Sequence, residues 1–223
     1  TIEVFQHIDR MIKSKMEKQP FELNIIFNMA GINHSNLFAF GLGQQQLIEC
    51  PSYRERFDKL TEGSYLIMGK NTFKSFGSKV LDGRKSVVIS SMNHNEFEKQ
   101  FGCFLVRDFH DAVKFCTQNK TEKAFVIGGV ELIREASILA NNIYYTLFKY
   151  SFDLTDADAY FNPHIMAFMR GKYFSAKSIR ENRERCKIVK TGEEKMLKMK
   201  HFDLVRAEDL FNKDDKDTAH KIL

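Results

Sequence analysis

Short apolar stretches that alternate with helical segments are the feature that most restricts how this chain can fold. Six stretches of strand length carry no charged residue, and they cover residues 23–29, 37–40, 65–68, 86–90, 124–127 and 143–147. Helices are predicted between them at residues 50–62, 71–76, 109–118 and 130–140. This alternation predicts an α/β fold in which a mostly parallel sheet carries helices on both faces.

The C-terminal part of the chain breaks this alternation. Residues 174–180 and 196–205 are predicted to form a closing pair of strands, and Thr191-Gly192 has the composition of a turn. The sheet is therefore expected to end in an antiparallel edge. The length and an apolar share of 43% favour a single domain, which we expect at residues 21–206.

The two ends of the chain differ from this domain. Residues 2–18 follow the period of an amphipathic helix, within an N-terminal extension of residues 1–20. That helix could pack on the domain or bind a protein partner. Residues 207–223 are rich in charge, and we expect them to form a tail.

Composition narrows the classes of function. The net charge of +5 favours anions, including phosphorylated cofactors, and nucleic acid is a further hypothesis. Glutamates interrupt the densest basic stretch, residues 180–200, which favours a solvated surface over a nucleic-acid site. The four cysteines lack zinc-ligand spacing, so we expect no metal and a reducing compartment. Without a signal peptide or an apolar stretch of about 20 residues, the chain is expected in the cytoplasm, or in a host cytoplasm, and not in a membrane.

Three ordered blocks carry a resemblance to a known family. Residues 66–76 read LIMGKNTFKSF, residues 82–91 read DGRKSVVISS and residues 126–136 read VIGGVELIREA. A weaker block, DAYFNP, follows at residues 158–163. In this order and at this spacing, the blocks resemble the dihydrofolate reductase family over residues 23–206.

The resemblance implies both a fold and an activity. The fold would be a single dihydrofolate-reductase-like domain with a mixed, mainly parallel sheet. The activity would be hydride transfer from NADPH to dihydrofolate or a related pterin. Residues 39–43 and 61–63 are similar to phage-encoded members of the family in particular.

The predicted cofactor-binding residues lie where three strands end. Free backbone N–H groups at a strand-to-helix junction suit a phosphate, to which Lys70 adds a charge and Thr72 a hydroxyl. The alternative there is an exposed lysine beside a helix start. A glycine pair lets the backbone approach a cofactor closely, and the resemblance implies a non-proline cis peptide bond within it. The predicted set is Gly69, Lys70, Asn71, Thr72, Ser90, Ser91, Gly128, Gly129, Val130 and Glu131.

Three members of this set leave alternatives open. Ser90 and Ser91 offer two hydroxyls to a phosphate, which the resemblance makes the adenine-ribose phosphate, but serines are as common in plain turns. Glu131 stands where some relatives have a basic residue. Its charge weakens the preference for NADPH over NADH.

On the substrate side, the resemblance implies four binding residues and one supporting residue. Arg84 would hold the α-carboxylate of a folate tail, since a planar guanidinium binds a carboxylate through two donors. Phe57 would stack beside the pterin, and Ile48 and Phe76 complete the predicted wall. Thr146 matches the strand threonine that steadies the catalytic carboxylate.

The position of that catalytic carboxylate holds Tyr53. The family places Asp or Glu four residues before Phe57, on the same helix face. A phenol supplies no anion, and losing a charge-assisted bond to the pterin ring costs about 1.5–3 kcal/mol of binding. Glu49, in the loop before the helix, is the substitute acid. Two hypotheses therefore remain: a reductase, or a catalytically impaired homologue that serves as a binding or structural/assembly protein.

Overall fold

The computed structural model describes residues 19–43, 45–77, 81–91, 102–175, 179–207 and 209. The helix predicted at residues 2–18 lies outside the described residues, as does the charged tail at 207–223 apart from residues 207 and 209. Among the described residues, no helix is both long enough and apolar enough to cross a bilayer.

The described chain folds around one sheet of thirteen strands. In chain order they are β1 (Glu22–Ile32), β2 (Phe38–Leu42), β3 (Gln45–Gln46), β4 (Ile48–Glu49), β5 (Tyr65–Gly69), β6 (Lys85–Ile89), β7 (Phe104–Val106), β8 (Lys123–Gly128), β9 (Asn142–Phe152), β10 (Ala159–Phe161), β11 (Tyr173–Ser175), β12 (Arg180–Ile188) and β13 (Glu194–Arg206). The main path is β4-β12-β13-β9-β1-β8-β5-β6-β7, and the other four strands pair beside it.

Strand direction divides the sheet into two parts. From β9 through β1, β8, β5 and β6 to β7, neighbouring strands run parallel. β13 runs antiparallel to both β9 and β12. The prediction of a mainly parallel sheet with an antiparallel C-terminal edge is confirmed.

Five helices connect the described strands, and local sequence explains where they begin. They are α1 (Pro51–Thr61), α2 (Lys70–Ser75), α3 (Phe109–Gln118), α4 (Val130–Ala136) and α5 (Pro163–Lys172). Prolines occupy the first turns of α1 and α5, where a missing N–H leaves no bond unmade. The Asp108 side chain caps α3 by accepting from the Asp111 N–H. α4 ends before the predicted residue 140, because tighter turn bonds from Ile138 and Leu139 follow it.

Both faces of the central strands are buried, which explains their unbroken apolar sequences. In β1, Ile25 and Phe27 pack in one cluster, whereas Ile26 between them packs in another. In β5, likewise, Ile67 packs in the first cluster and its neighbour Leu66 packs in the second. Parallel strands covered by helices on both faces need apolar residues at every position rather than at every second one.

The strand predicted over residues 174–180 agrees with the structure at its described ends, since residues 174 and 175 belong to β11, which pairs with β13, and Arg180 begins β12. β11 ends at Ser175, and the strand that pairs with β13 across the Thr191-Gly192 turn is Arg180–Ile188. Only Cys186 and Ile188 are buried in that strand, and most of its other positions are charged and exposed. A strand with so little apolar character leaves a weak sequence signal, because its pairing with β13 decides its conformation. The sequence also left β7 and α5 unassigned.

Candidate active site

A cleft of about 1330 Å³ lies where β8 ends. Its walls come from β1, β2, the first half of α1, α2, the loop before β6 and the end of β12. Crevices at the carboxyl ends of parallel strands are where α/β sheets bind ligands. Eight of the residues predicted from sequence line it, namely Glu49, Tyr53, Phe57, Asn71, Thr72, Phe76, Arg84 and Gly129.

The two glycines after β8 have different surroundings. Their peptide bond is cis, as the resemblance implied. Gly128 has φ +142°, and a Cβ there would lie 2.9 Å from the Phe40 ring and 3.0 Å from Thr72 Oγ1. The protein's own side chains therefore exclude a side chain at this position. A Cβ on Gly129 would meet no heavy atom within 4 Å, and Gly129 itself lines the cleft.

The predicted phosphate-binding residues gather at one edge of the sheet. Gly69 pairs with Ile89, and Met68 pairs with Gly128, so β5, β6 and β8 end side by side. Asn71 and Thr72, which follow β5, line the cleft. Gly69, Lys70, Ser90, Ser91, Gly128, Val130 and Glu131 flank this edge but do not line the cleft itself.

Glu131 is paired within its own helix. Arg134 Nε donates to Glu131 Oε2 at 2.9 Å, and both side chains are exposed. The guanidinium offsets the carboxylate charge, so Glu131 repels a nearby phosphate less than an unpaired glutamate would.

Two stacked aromatic rings form one wall of the cleft. Phe57, in α1, is buried, and its ring stacks on Phe76 with 6.1 Å between centroids and 24° between planes. The Arg84 guanidinium lies 6.0 Å from the Phe57 centroid. Two apolar rings beside a cation suit a flat heterocycle that continues into an anionic tail.

Arg84 is already engaged by the protein. Its Nε donates to Thr61 Oγ1 at 2.8 Å, and its Nη1 donates to the Asp82 carbonyl at 3.1 Å. Its Nη2 donates to the Asp58 carbonyl at 2.9 Å and to Asp58 Oδ1 at 3.0 Å. The other carboxylate oxygen of Asp58 accepts from Arg54 Nε at 3.0 Å. A substrate carboxylate would therefore have to compete with Asp58 for the guanidinium.

Tyr53 lies in the first turn of α1 and faces β1. Its side chain lies close to Asn28, and burial raises the pKa of Tyr53 to about 12. At neutral pH the phenol therefore keeps its proton. Both residues line the cleft, so the position where the family has a carboxylate presents a neutral pair.

Thr146 has a histidine as its partner. Its Oγ1 lies 2.7 Å from His201 Nδ1, and both residues are buried. The pairing follows from register, because Thr146 stands opposite His201 where β9 meets β13. Burial lowers the pKa of His201, and the charges of Arg56 and Arg180 lower it further. The expected support of a catalytic carboxylate is therefore replaced by a bond to a neutral imidazole.

Ile48 and Glu49 point in opposite directions, as neighbours in a strand do. Ile48 is 1% exposed, packs in the core with Ile188 and does not line the cleft, so its role as a substrate-wall residue stays a prediction. Glu49 lines the cleft with its side chain half exposed, and its Oε2 lies 3.5 Å from Lys187 Nζ. Pairing of β4 with β12 fixes both orientations.

Sequence reasoning missed several residues at the cleft. Asn28 is a polar residue inside an apolar strand, which is a recognisable signal. Asp58 stands four residues after Arg54, a spacing that places both on one helix face. Cys50 and Cys186 meet only in the tertiary structure, because 136 positions separate them in the sequence (186 minus 50).

Comparisons with known proteins agree with the fold. The family model for dihydrofolate reductase matches residues 32–194, so this chain belongs to the dihydrofolate reductase family. A solved dihydrofolate reductase from Enterococcus faecalis, complexed with NADP(H), superposes with a TM-score of 0.62 over 83% of this chain and 96% of that one. Its sequence identity of 15% makes this a likeness of fold.

Curated relatives match shorter stretches. The dihydrofolate reductase of Bacillus subtilis is 35% identical over 97 residues, which are 44% of this chain and 54% of that protein. Dihydrofolate reductase type 3 of Salmonella typhimurium is 32% identical over 124 residues, which are 55% of this chain and 70% of that protein. The chain thus spans about half the length of the Bacillus relative. The similarity to phage-encoded members stays a prediction.

Proposed function

We propose that this chain is an NADPH-dependent reductase of dihydrofolate or a related pterin. The observation that supports this proposal is that one cleft is lined by Gly129, at the end of a strand, by the stacked rings of Phe57 and Phe76, and by Arg84. The cofactor would bind beside Gly129, and the pterin would lie against the rings of Phe57 and Phe76. Membership of the dihydrofolate reductase family supports this placement of the cofactor and the pterin.

The cofactor side has room for a nicotinamide. The space at Gly129 would be filled by any Cβ, and the Thr72 hydroxyl and the Asn71 side chain border the same cleft. NADPH supplies a hydride when it is bound. The residues of this chain hold it against the pterin, with Asn71 and Thr72 as hydrogen-bonding partners and Lys70 beside them as a positive charge.

The substrate side supports a folate more than a bare pterin. Phe57 and Phe76 offer stacking surfaces, and Arg54 and Arg84 share the single carboxylate of Asp58. The two guanidiniums place positive charge beside the cleft, where the acidic Asp58 and Asp82 partly offset it. A substrate with an anionic tail gains from that charge, whereas an uncharged pterin does not.

Proton delivery is where this chain departs from its family. Tyr53 and Asn28 are neutral, so they can position a heterocycle edge by hydrogen bonds but cannot stabilise a developing cation. Glu49 borders the cleft and is the carboxylate that could deliver a proton through water. A step that lacks a positioned acid commonly loses 10² to 10⁴ in rate, roughly, so we expect slow turnover.

A catalytically impaired homologue that only binds its ligands is the second candidate. The specific observation in its favour is that Arg84, a predicted substrate contact, already bonds to Asp58, while the neutral Tyr53 stands at the position of the catalytic carboxylate. Such a protein would bind NADPH or folate without turnover.

Two measurements separate the candidates. NADPH and folate are first titrated separately against the purified chain by calorimetry. NADPH oxidation is then followed with dihydrofolate at high protein concentration, with dihydropterin lacking the glutamate tail as the comparison. Oxidation that depends on dihydrofolate supports the reductase. Binding without oxidation supports the impaired homologue, and failure to bind NADPH overturns the proposed function.

A further inference from the structure

Two cysteines and a glutamate converge beside the cleft, at the start of α1. Cys50 precedes the first helical residue, and Glu184 and Cys186 are two positions apart on β12, so both face the helix. The two Sγ atoms and a Glu184 carboxylate oxygen all lie within 4.8 Å of one another. Both cysteines are buried free thiols.

The donor atoms are close to the spacing that a metal needs. Zinc binds thiolate sulfur at about 2.3 Å and carboxylate oxygen at about 2.0 Å, so tetrahedral ligands lie about 3.3–3.8 Å apart. In this cluster Cys50 Sγ lies 2.6 Å from Glu184 Oε1, a contact that holds a thiol proton. Replacing that proton by a metal ion requires the two atoms to separate by about 1 Å.

Glu184 lacks a cationic partner among the described residues. Its Oε1 accepts from the Cys50 thiol, from the Ser52 backbone N–H at 2.8 Å and from Ser52 Oγ at 2.6 Å, all of which are neutral donors. The ion pairs of β12 involve other residues, such as Glu181 with Lys200 and Arg185 with Glu194. The neutral donors do not offset the negative charge of this half-buried carboxylate, so it can act as an anionic ligand for a cation.

The cluster lies at the wall of the cleft, and most of its ligand atoms are sulfur, which binds polarisable metal ions well. Cys50 and Cys186 both line the cleft, so an ion can reach them without unfolding. The Met199 thioether lies 3.5 Å from Cys50 Sγ. Sulfur donors favour zinc and other thiophilic ions over magnesium or calcium, and the carboxylate favours zinc over Cu(I).

We propose that Cys50, Glu184 and Cys186 form a zinc-binding site whose fourth position opens to the cleft. On binding, both thiols lose their protons to solvent, and two Zn–S bonds and one Zn–O bond form without any change in oxidation state. The ion joins the start of α1 to the β12–β13 hairpin and so fixes the helix turn that carries Tyr53. The sequence expectation of no metal site missed this cluster because its ligands come from two distant segments.

The test uses the full chain, reduced and stripped of metal, without NADPH or folate. Co²⁺ is titrated as a spectroscopic probe, and Zn²⁺ is then added. We expect one Co²⁺ per chain, a thiolate-to-cobalt charge-transfer band, loss of that band as Zn²⁺ displaces Co²⁺, and a higher melting temperature with Zn²⁺. Cys186→Ser and Glu184→Gln should each weaken Zn²⁺ binding by about tenfold or more, and only the first should reduce the thiolate band.

Cys116→Ser is the matched control, since Cys116 is an equally buried free thiol on α3. It should leave the band and the affinity unchanged. Alkylation mapped by mass spectrometry on the unmutated chain guards against variants that fail to fold, because Zn²⁺ should protect Cys50 and Cys186 and leave Cys103 and Cys116 unaffected. Absence of a charge-transfer band, or protection of all four cysteines alike, overturns the site. Neither result depends on reductase turnover.

Discussion

Tyr53 in the first turn of α1 lies beside Asn28 of β1 at the wall of the cleft, and the two side chains interact. Because burial raises the pKa of the phenol to about 12, the pair is neutral throughout the physiological range. The family places an anion at this position. The chemistry of this chain is therefore expected to differ from that of its relatives at the substrate edge more than at the cofactor edge.

Tyr53→Asp should raise dihydrofolate-dependent NADPH oxidation. The new carboxylate would lie in the first turn of α1, where a negative charge is favourable, and would supply the missing anion at the heterocycle edge. We expect an increase in kcat/KM of about tenfold or more. Steady-state kinetics of the purified variant provide the measurement.

Tyr53→Phe is the control for this substitution, since it removes the hydroxyl and adds no charge. It should not accelerate turnover. If Tyr53→Asp folds, binds both ligands and is no faster than the unmutated chain, the missing carboxylate is not what limits the rate.

Asp58→Asn should strengthen binding of folates that carry a glutamate tail. Asp58 occupies Arg84 and Arg54, and removing its charge frees both guanidiniums for a substrate carboxylate. A partly exposed ion pair of this kind is worth up to about 1 kcal/mol, so the dissociation constant should fall by about two- to fivefold. Calorimetric titration with folate and with a tail-less pterin measures the difference.

The matched control is Asp111→Asn, which breaks the pair between Asp111 on α3 and Arg107 just before that helix, outside the cleft. It should leave folate affinity unchanged. An Asp58→Asn variant that binds folate more weakly would mean that Asp58 positions Arg84 for the substrate and does not compete with it.

Gly128→Ala and Gly129→Ala should have opposite consequences. An added methyl at Gly128 meets Phe40 and Thr72 and requires an unfavourable φ, so it should lower the free energy of unfolding by about 1–3 kcal/mol. At Gly129 the methyl meets no protein atom, so stability should be kept while NADPH affinity falls by about tenfold. Urea unfolding and NADPH titration give the two quantities.

Gly171→Ala serves as the control, because a Cβ there also meets no atom within 4 Å but lies in α5, away from the cleft. It should preserve both stability and NADPH binding. Unchanged NADPH affinity in Gly129→Ala would remove the glycine from the cofactor site.

His201 should make the folded state sensitive to acid. Burial holds its pKa below the ordinary value of 6.5, so below that pH the unfolded chain binds a proton that the folded chain does not. The stability present above pH 6.5 is therefore lost as pH falls towards the folded pKa, at up to about 1.4 kcal/mol per pH unit. His201→Asn should flatten this slope in urea unfolding, whereas replacing the exposed His34 should not; an equal slope in both variants would contradict the assignment.

The sequence predicted the elements whose signal is local. The uncharged stretches at β1, β5, β6 and β8 have the composition of doubly buried strands, and Asp108 and Pro51 mark helix starts. The glycine pair at the end of β8 and the Phe57 face of α1 could also be predicted, because each depends on a few adjacent residues. Each of these features is caused by residues that lie within its own short segment of the chain.

Tertiary structure decided the partners. Thr146 binds His201, Arg84 binds Asp58, and Cys50 meets Cys186, and in the first and last pairs the two residues are far apart in the sequence. The charged strand β12 exists because β13 offers it a hydrogen-bonding edge. Backbone pairing and long-range side-chain contacts depend on which strands become neighbours, and no local stretch encodes that. The sequence by itself therefore determined the main apolar strands, most helices and the glycine pair, whereas only the assembled fold determined how the strands pair and which groups in the cleft are already bonded to the protein.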